Sequence, residues 1–441
     1  MSVKKFTHPV TRSNKCLICM YHALITGLMS FPSVGHHRVM GNDDFQGATH
    51  MMPFEEDTIG YGDQHDTSLV ARLQEAIEKG EVNLEFVDDG RGYLLSLLEK
   101  LNIPVDSQVL VFSKTSSQRH KISPSAPRAL YFDDNTYVGY VQGSNLLEIS
   151  AVDKSLGGVF YTLEQNPAKK PEFIRTDQCL ECHASSRTMG VPGHLIRSFE
   201  VDEIGVADLI SGTSQVNHRT PLEDRWGGWF VTGQHGNQLH RGNLFGKAAY
   251  QRQKEFPNYL GNLKELKQFF NLSPYPRATS DIAALMVLEH QGHMHNFITR
   301  MHYETKLMLS TYGHLRYLKH KIDAFLRYML FVDEAPLKHA IHSSSSYEKA
   351  FRNMGPEDSH GRSLRDFNLE TRLFEYPCSY LIYSESFQSM PERLKSKIYD
   401  KLWKILTGEN NQPEFSKLSI ASRKAIHSIL EETLPGLPEY W

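Results

Sequence analysis

Ala129-Leu130-Tyr131-Phe132-Asp133-Asp134-Asn135-Thr136-Tyr137-Val138-Gly139-Tyr140-Val141 reads as two strands joined by a turn. Aromatic and β-branched residues favour the pleated surface on both arms, and Asp-Asp-Asn supplies side chains that bond their own backbone over a hairpin-length connection. Working outward, strand-like runs also cover 108–112, 146–151 and 158–163, with no helical period between them. Strands that follow one another in this way predict an antiparallel sheet. Upstream, Leu69, Val70, Leu73, Ala76 and Ile77 recur at helical spacing over 68–79, with Gly80 as the stop. A second short helix fits 92–101, ending before Ile103-Pro104.

Downstream the character changes to helix. Ser280 is the expected N-cap of a helix over 281–309. At 100° per residue, Ala283, Met286, Val287, His290, Met294, Phe297, Ile298, Met301 and Met308 fall on one side of it, and Glu289, His293, Asn296, Arg300 and Glu304 on the other. Further helices fit 314–331, 368–374, 391–407 with Pro391 first and Gly408 as stop, and 419–433.

Between the two halves lies Cys179-Leu180-Glu181-Cys182-His183. Two cysteines at this spacing followed by His form the attachment motif of a c-type haem, with thioethers from Cys179 and Cys182 and the proximal imidazole from His183. With five Cys and 22 His in 441 residues, chance alone yields the pentapeptide in roughly three such sequences per thousand, so the signal is specific. A structural zinc site needs two more ligands at short spacing, and the other C-x-x-C, Cys16 to Cys19, lies far upstream. A thioredoxin-like dithiol wants a buried strand before the motif, where Pro171 to Gln178 offer a short strand at best, and it leaves His183 unexplained. The expected fold class is therefore α+β, with a β-rich N-terminal half, a helical C-terminal half and a c-type haem site between them.

His290 is the leading candidate for the distal iron ligand and Met294 the weaker one, because both sit one turn apart in an apolar stripe. The bland alternative is that a Met stripe is core and a lone His on it is a hydrogen-bonded core residue. Met189, His194, His235 and His295 are further candidates, as is an open sixth position. The polar 113–127 stretch is a long loop in which Arg119, His120 and Lys121 offer charge for haem propionates, and Arg187 and Arg197 offer the same nearer the motif. Trp226-Gly227-Gly228-Trp229-Phe230 reads as a glycine-kinked strand that either walls a haem or lies in the core, and His235 and His240 sit in a polar loop after it.

Composition excludes several classes. A net charge of −3 and a pI near 6.7 give no reason to expect nucleic acid or an anionic membrane surface. Residues 1–35 combine basic Lys4, Lys5, Arg12 and Lys15, an apolar run and small residues at Ser33 and Gly35, the pattern of an export signal. Export to the periplasm suits covalent haem attachment, and no later run is long enough for a transmembrane segment. The expected organisation is then 1–35 signal, 36–175 mixed domain with the sheet, 176–280 haem-attachment segment, and 281–441 helical domain. His36 and His37 are a solvated pair in an extended lead-in, and Cys378, in apolar company, is a small buried hydrophobe.

The run from Cys179 to Arg187 with Gly190-Val191-Pro192-Gly193-His194, the Trp226-Gly227-Gly228-Trp229 segment, Leu285 to Gln291, Arg362 to Asp366 and Tyr376 to Ser384 resemble an uncharacterised family of exported bacterial proteins described as cytochrome c domain-containing. The resemblance covers most of the chain beyond about residue 110. It implies a single haem c, iron binding and single-electron transfer with a redox partner protein or a small-molecule donor or acceptor. The long stretch before the motif sets the chain apart from the compact cytochromes c. Two other classes stand beside that expectation: a peroxidase-like oxidoreductase with an open sixth site and His235, His240 or His290 as acid/base, and a haem-based redox or gas sensor.

Overall fold

Asp133 makes the turn that opens the sheet. Its Oδ1 accepts the amide N–H groups of Asn135 at 2.9 Å and Thr136 at 2.6 Å, so the local side chain satisfies backbone donors that a tight reversal would otherwise strand. The computed structural model describes residues 51–210, 212–410 and 412–441. The expected signal at 1–35 and the His36-His37 pair lie outside them.

Helices α1 (Leu69–Glu78) and α2 (Leu94–Lys100) lead into strands β1 (Val109–Val111), β2 (Arg128–Phe132), β3 (Thr136–Val141), β4 (Leu146–Asp153), β5 (Gly157–Glu164) and β6 (Phe173–Arg175). The short helix α3 (Leu180–His183) is followed by a two-stranded ribbon, β7 (Arg197–Phe199) and β8 (Thr213–Gln215), and then by β9 (Trp229–Phe230). The remainder is helical: α4 (Lys247–Glu255), α5 (Ile282–Tyr312), α6 (Lys319–Met329), α7 (Tyr347–Arg352), α8 (Glu385–Gln388), α9 (Glu392–Thr407) and α10 (Ile420–Thr433). This is the α+β arrangement the patterning predicts.

Seven strands form one antiparallel sheet in the order β6-β5-β4-β3-β2-β1-β9. Alternation gives it two faces. Ala129, Tyr131, Val138, Tyr140, Leu147, Ile149, Val159, Tyr161 and Leu163 pack with Val70, Leu73 and Ile77 of α1 and Leu94, Leu97 and Leu98 of α2. On the opposite face Phe132, Tyr137 and Val152 join the large helical core. The register Tyr137↔Ser150↔Phe160 runs across this second face, and it is here that the C-x-x-C-H segment comes to lie.

Helix α5 is the axis of the second half. Every residue from Ile282 to Thr305 is buried, so it is a central helix covered all round rather than an amphipathic one. Its cap corrects the expectation. Asp281, not Ser280, accepts the N–H groups of Ala283 and Ala284, while Ser280 donates to the Phe230 carbonyl and accepts the Leu110 N–H, tying helix to sheet. Gly313, at φ +68°, ends it in the left-handed conformation.

Other corrections are local. Residues 368–374 form no helix; Phe367 and Phe374 pair as a β-bridge around a turn with Leu369 at φ +52°. The stretch 314–331 divides into a 3₁₀ turn and α6. Trp226 lies before β9 at φ +67°. The described residues pack as one compact unit, so boundaries at 175 and 280 do not divide the packing: β9, from beyond the motif, pairs with β1. Among the described residues no helix is long and apolar enough to cross a membrane.

Candidate functional site

The four-residue helix α3 is too short to hold itself, so its environment sets the geometry of Cys179, Cys182 and His183. Cys182 is exposed and Cys179 half-buried, both as free thiols. Burial raises the Cys179 thiol pKa and the nearby Glu148 carboxylate adds to the rise, which keeps it protonated. His183 Nδ1 donates to the Gly193 carbonyl at 2.9 Å, and the Gly193 N–H returns a bond to the His183 carbonyl at 2.8 Å. A ring whose Nδ1 carries the proton presents a bare Nε2. Burial also lowers the His183 pKa, so the imidazole is neutral at neutral pH. Phe160 of β5 lies beside the ring at 4.9 Å.

Charge surrounds this corner. Arg128 and Glu148, on β2 and β4, form an ion pair at 2.8 Å and lie close enough to act on both His183 and Cys179. Burial opposes ionisation of Glu148, but Arg128 and the hydroxyls of Ser117 and Ser116 outweigh it and hold the carboxyl below its usual range. The 113–127 loop thus reaches the site through its serines, whereas Arg119 and His120 are exposed and Lys121 is spent on the Gly143 carbonyl. On the other side stands the β7–β8 ribbon. Burial and the neighbouring Arg187 lower the Arg197 pKa, with Cys182 in electrostatic range. Arg187 itself is linked to the ribbon by its carbonyl, which accepts from Gln215.

The structure does not bring His290 to this corner. Its Nδ1 pairs with His218 Nδ1 at 2.8 Å and its Nε2 with Ser379 Oγ at 2.9 Å, and it is fully buried between Tyr328 and Phe331. With both ring nitrogens engaged it stands as a hydrogen-bonded core residue, the alternative set beside the distal-ligand expectation. Met294 is likewise part of the helical core, fully buried among apolar side chains. The face of α5 that meets the motif segment carries Gly292, Asn296 and Thr299, against His194, Gly193 and Gly157. Asn296 stands about 120° around the helix from His290.

The remaining histidines divide by position. His235 Nε2 accepts the Asn262 N–H and His240 Nδ1 the Gly242 N–H, with their rings 4.6 Å apart and His240 against Trp226. Trp226 donates to Glu289 and lies in the helical core, while Trp229 donates to the Arg197 carbonyl in the ribbon. His194 is the one that stays near the motif. It lies on Tyr137 at 4.3 Å, bonds Ser150 through Nε2, and leaves a buried Nδ1 with no hydrogen-bond partner. His295 adjoins it at 6.1 Å, with Nε2 on the Asp134 carbonyl and its own Nδ1 also without a partner. The Ser150 and Asn296 contacts were not foreseen, because both connect positions more than forty residues apart in sequence.

An exposed thiol, a half-buried thiol, a neutral imidazole with a bare Nε2, an aromatic ring and the guanidinium groups of Arg128, Arg187 and Arg197 make a donor set that fits a covalently attached haem. No protein-family model, no curated protein and no solved structure matches this chain.

Proposed function

We propose that the chain binds one haem c through thioethers at Cys179 and Cys182, with His183 as proximal ligand, and passes single electrons as an exported cytochrome c-like protein. The observation that carries this reading is the His183 Nδ1 to Gly193 carbonyl bond. It fixes the tautomer a metal-bound histidine requires, and it does so at the His of the attachment motif. The haem, when bound, supplies a one-electron couple. The chain's part is to attach and orient it, to set the basicity of His183, and to meet propionate charge with Arg128, Arg187 and Arg197. A redox partner protein or a small-molecule donor or acceptor completes the exchange.

The test is expression with a c-type haem maturation system, followed by denaturing gel haem stain and a pyridine haemochrome spectrum. One covalent haem per chain is expected, lost in the Cys179→Ala/Cys182→Ala double variant. His183→Ala retains attachment with an altered spectrum. A folded, haem-free chain from that system overturns the reading.

A further inference from the structure

Resting on the haem reading above, we infer that Asn296, on the central helix and more than a hundred residues from the motif, is the positioning residue for the proximal ligand. The fully buried Asn296 amide holds the backbone of one residue at both its polar groups: Oδ1 accepts the His194 N–H, which shares a peptide unit with the Gly193 carbonyl, at 2.8 Å, and Nδ2 donates to the His194 carbonyl at 2.7 Å. The residue before it, Gly193, gives its carbonyl to His183 Nδ1 and its N–H to the His183 carbonyl. The residue before that, Pro192, accepts the Gly158 N–H from β5 at 3.0 Å. Three consecutive residues are thus fixed between sheet and helix, and His183 is held by the middle one.

The fit leaves no slack. A Cβ on Gly193 would stand 2.0 Å from Asn296 Oδ1, and a Cβ on Gly158 would stand 3.2 Å from the Gly193 backbone. Helix α3 has four residues and no side-chain cap, so nothing within it locks the His183 ring. Orientation comes from the Gly193 carbonyl, and that carbonyl is aimed by Asn296. A strong Nδ1–H···O=C bond gives an imidazole more imidazolate character, which favours the oxidised iron. Asn296 would therefore tune the reduction potential of a haem held by His183, acting through the Gly193 carbonyl.

Two readouts separate this from a purely structural role. In the haem-free chain, ¹⁵N shifts of the His183 ring report its tautomer. Wild type is expected to hold the Nδ1–H form, whereas Asn296→Ala and the nearly isosteric Asn296→Asp, whose carboxylate cannot donate to the His194 carbonyl, populate both forms. In the haem-loaded chain, both variants are expected to raise the midpoint potential with covalent haem retained. Thr305→Ala, more than two turns further along the same helix and with a buried hydroxyl that makes no hydrogen bond, serves as the control that leaves both readouts unchanged. An unaltered tautomer and potential in Asn296→Asp overturn the inference. Failure of wild type to acquire haem overturns the proposed function instead, and the tautomer measurement still decides the role of Asn296.

Discussion

At the scale of single residues, the histidines separate by what holds each ring nitrogen. His183 has one nitrogen fixed by a carbonyl; His290 has both engaged, by His218 and Ser379. Replacing His290 with Ala is therefore expected to leave the haem spectrum unchanged and to lower stability by about 2–4 kcal/mol, through a cavity and two abandoned buried partners. Denaturant titration beside an absorption spectrum checks both halves; a changed axial-ligand spectrum would restore His290 to the iron. Gly193→Ala places a methyl 2.0 Å from Asn296 Oδ1, an overpacking expected to cost about 1–3 kcal/mol and to broaden the His183 tautomer signal. The motif residues stand out in the sequence because three residues of two scarce types at fixed spacing have few other uses. For His290, apolar neighbours signal burial alone, and burial does not say which buried group lies opposite.

At the scale of elements, α5 holds the molecule together by satisfying polar groups on a helix buried all round. Glu289 pairs with Arg225 and accepts from Trp226, Glu304 takes Arg300 and Lys321, and Gln291 links Tyr137 to Tyr380. Removing one member strands a buried charge, so Arg225→Met is expected to lose about 3–5 kcal/mol, while Arg225→Met with Glu289→Leu recovers much of it. A double-mutant cycle in urea measures the difference, and equal losses would refute the coupling. Asp281 caps this helix and also accepts from Ser343, Ser344 and Ser345; Asp281→Ala should cost at least the usual ~1 kcal/mol of an N-cap. The span of α5, Ile282–Tyr312, falls close to the expected 281–309. Its functional face was not legible in the sequence, since a helix covered on all sides has no solvent stripe to mark the opposite one.

At the scale of the whole molecule, buried neutral histidines govern the response to acid. Burial takes His295 and His302 down to about 4, and His194, His218, His240 and His290 well below their ordinary value. Each folded pKa lies below the unfolded one, so the unfolded chain binds more protons and stability falls as pH drops below about 6.5. For His295 alone, the loss between 6.5 and 4 is about 3 kcal/mol. Asp133, Glu289 and Glu334, raised to about 7 by burial, act in the opposite sense over the same window, and the histidines outnumber them. Urea midpoints between pH 7.5 and 4.5 should therefore decrease steadily; a flat profile would show that the histidines are not buried and neutral.

The sequence by itself determined most of the elements: local turn residues, period and spacing are short-range properties, so the meander through β5 and the helical second half could be read from it, and Cys179-Leu180-Glu181-Cys182-His183 could be marked as the candidate site. Only the tertiary structure decided what surrounds the motif. The serines bonded to Glu148, the pairing of β9 with β1 and the grip of Asn296 on the His194 backbone join residues far apart in the chain. Such partners are chosen by which faces the packing brings together, and no periodicity within one segment encodes them.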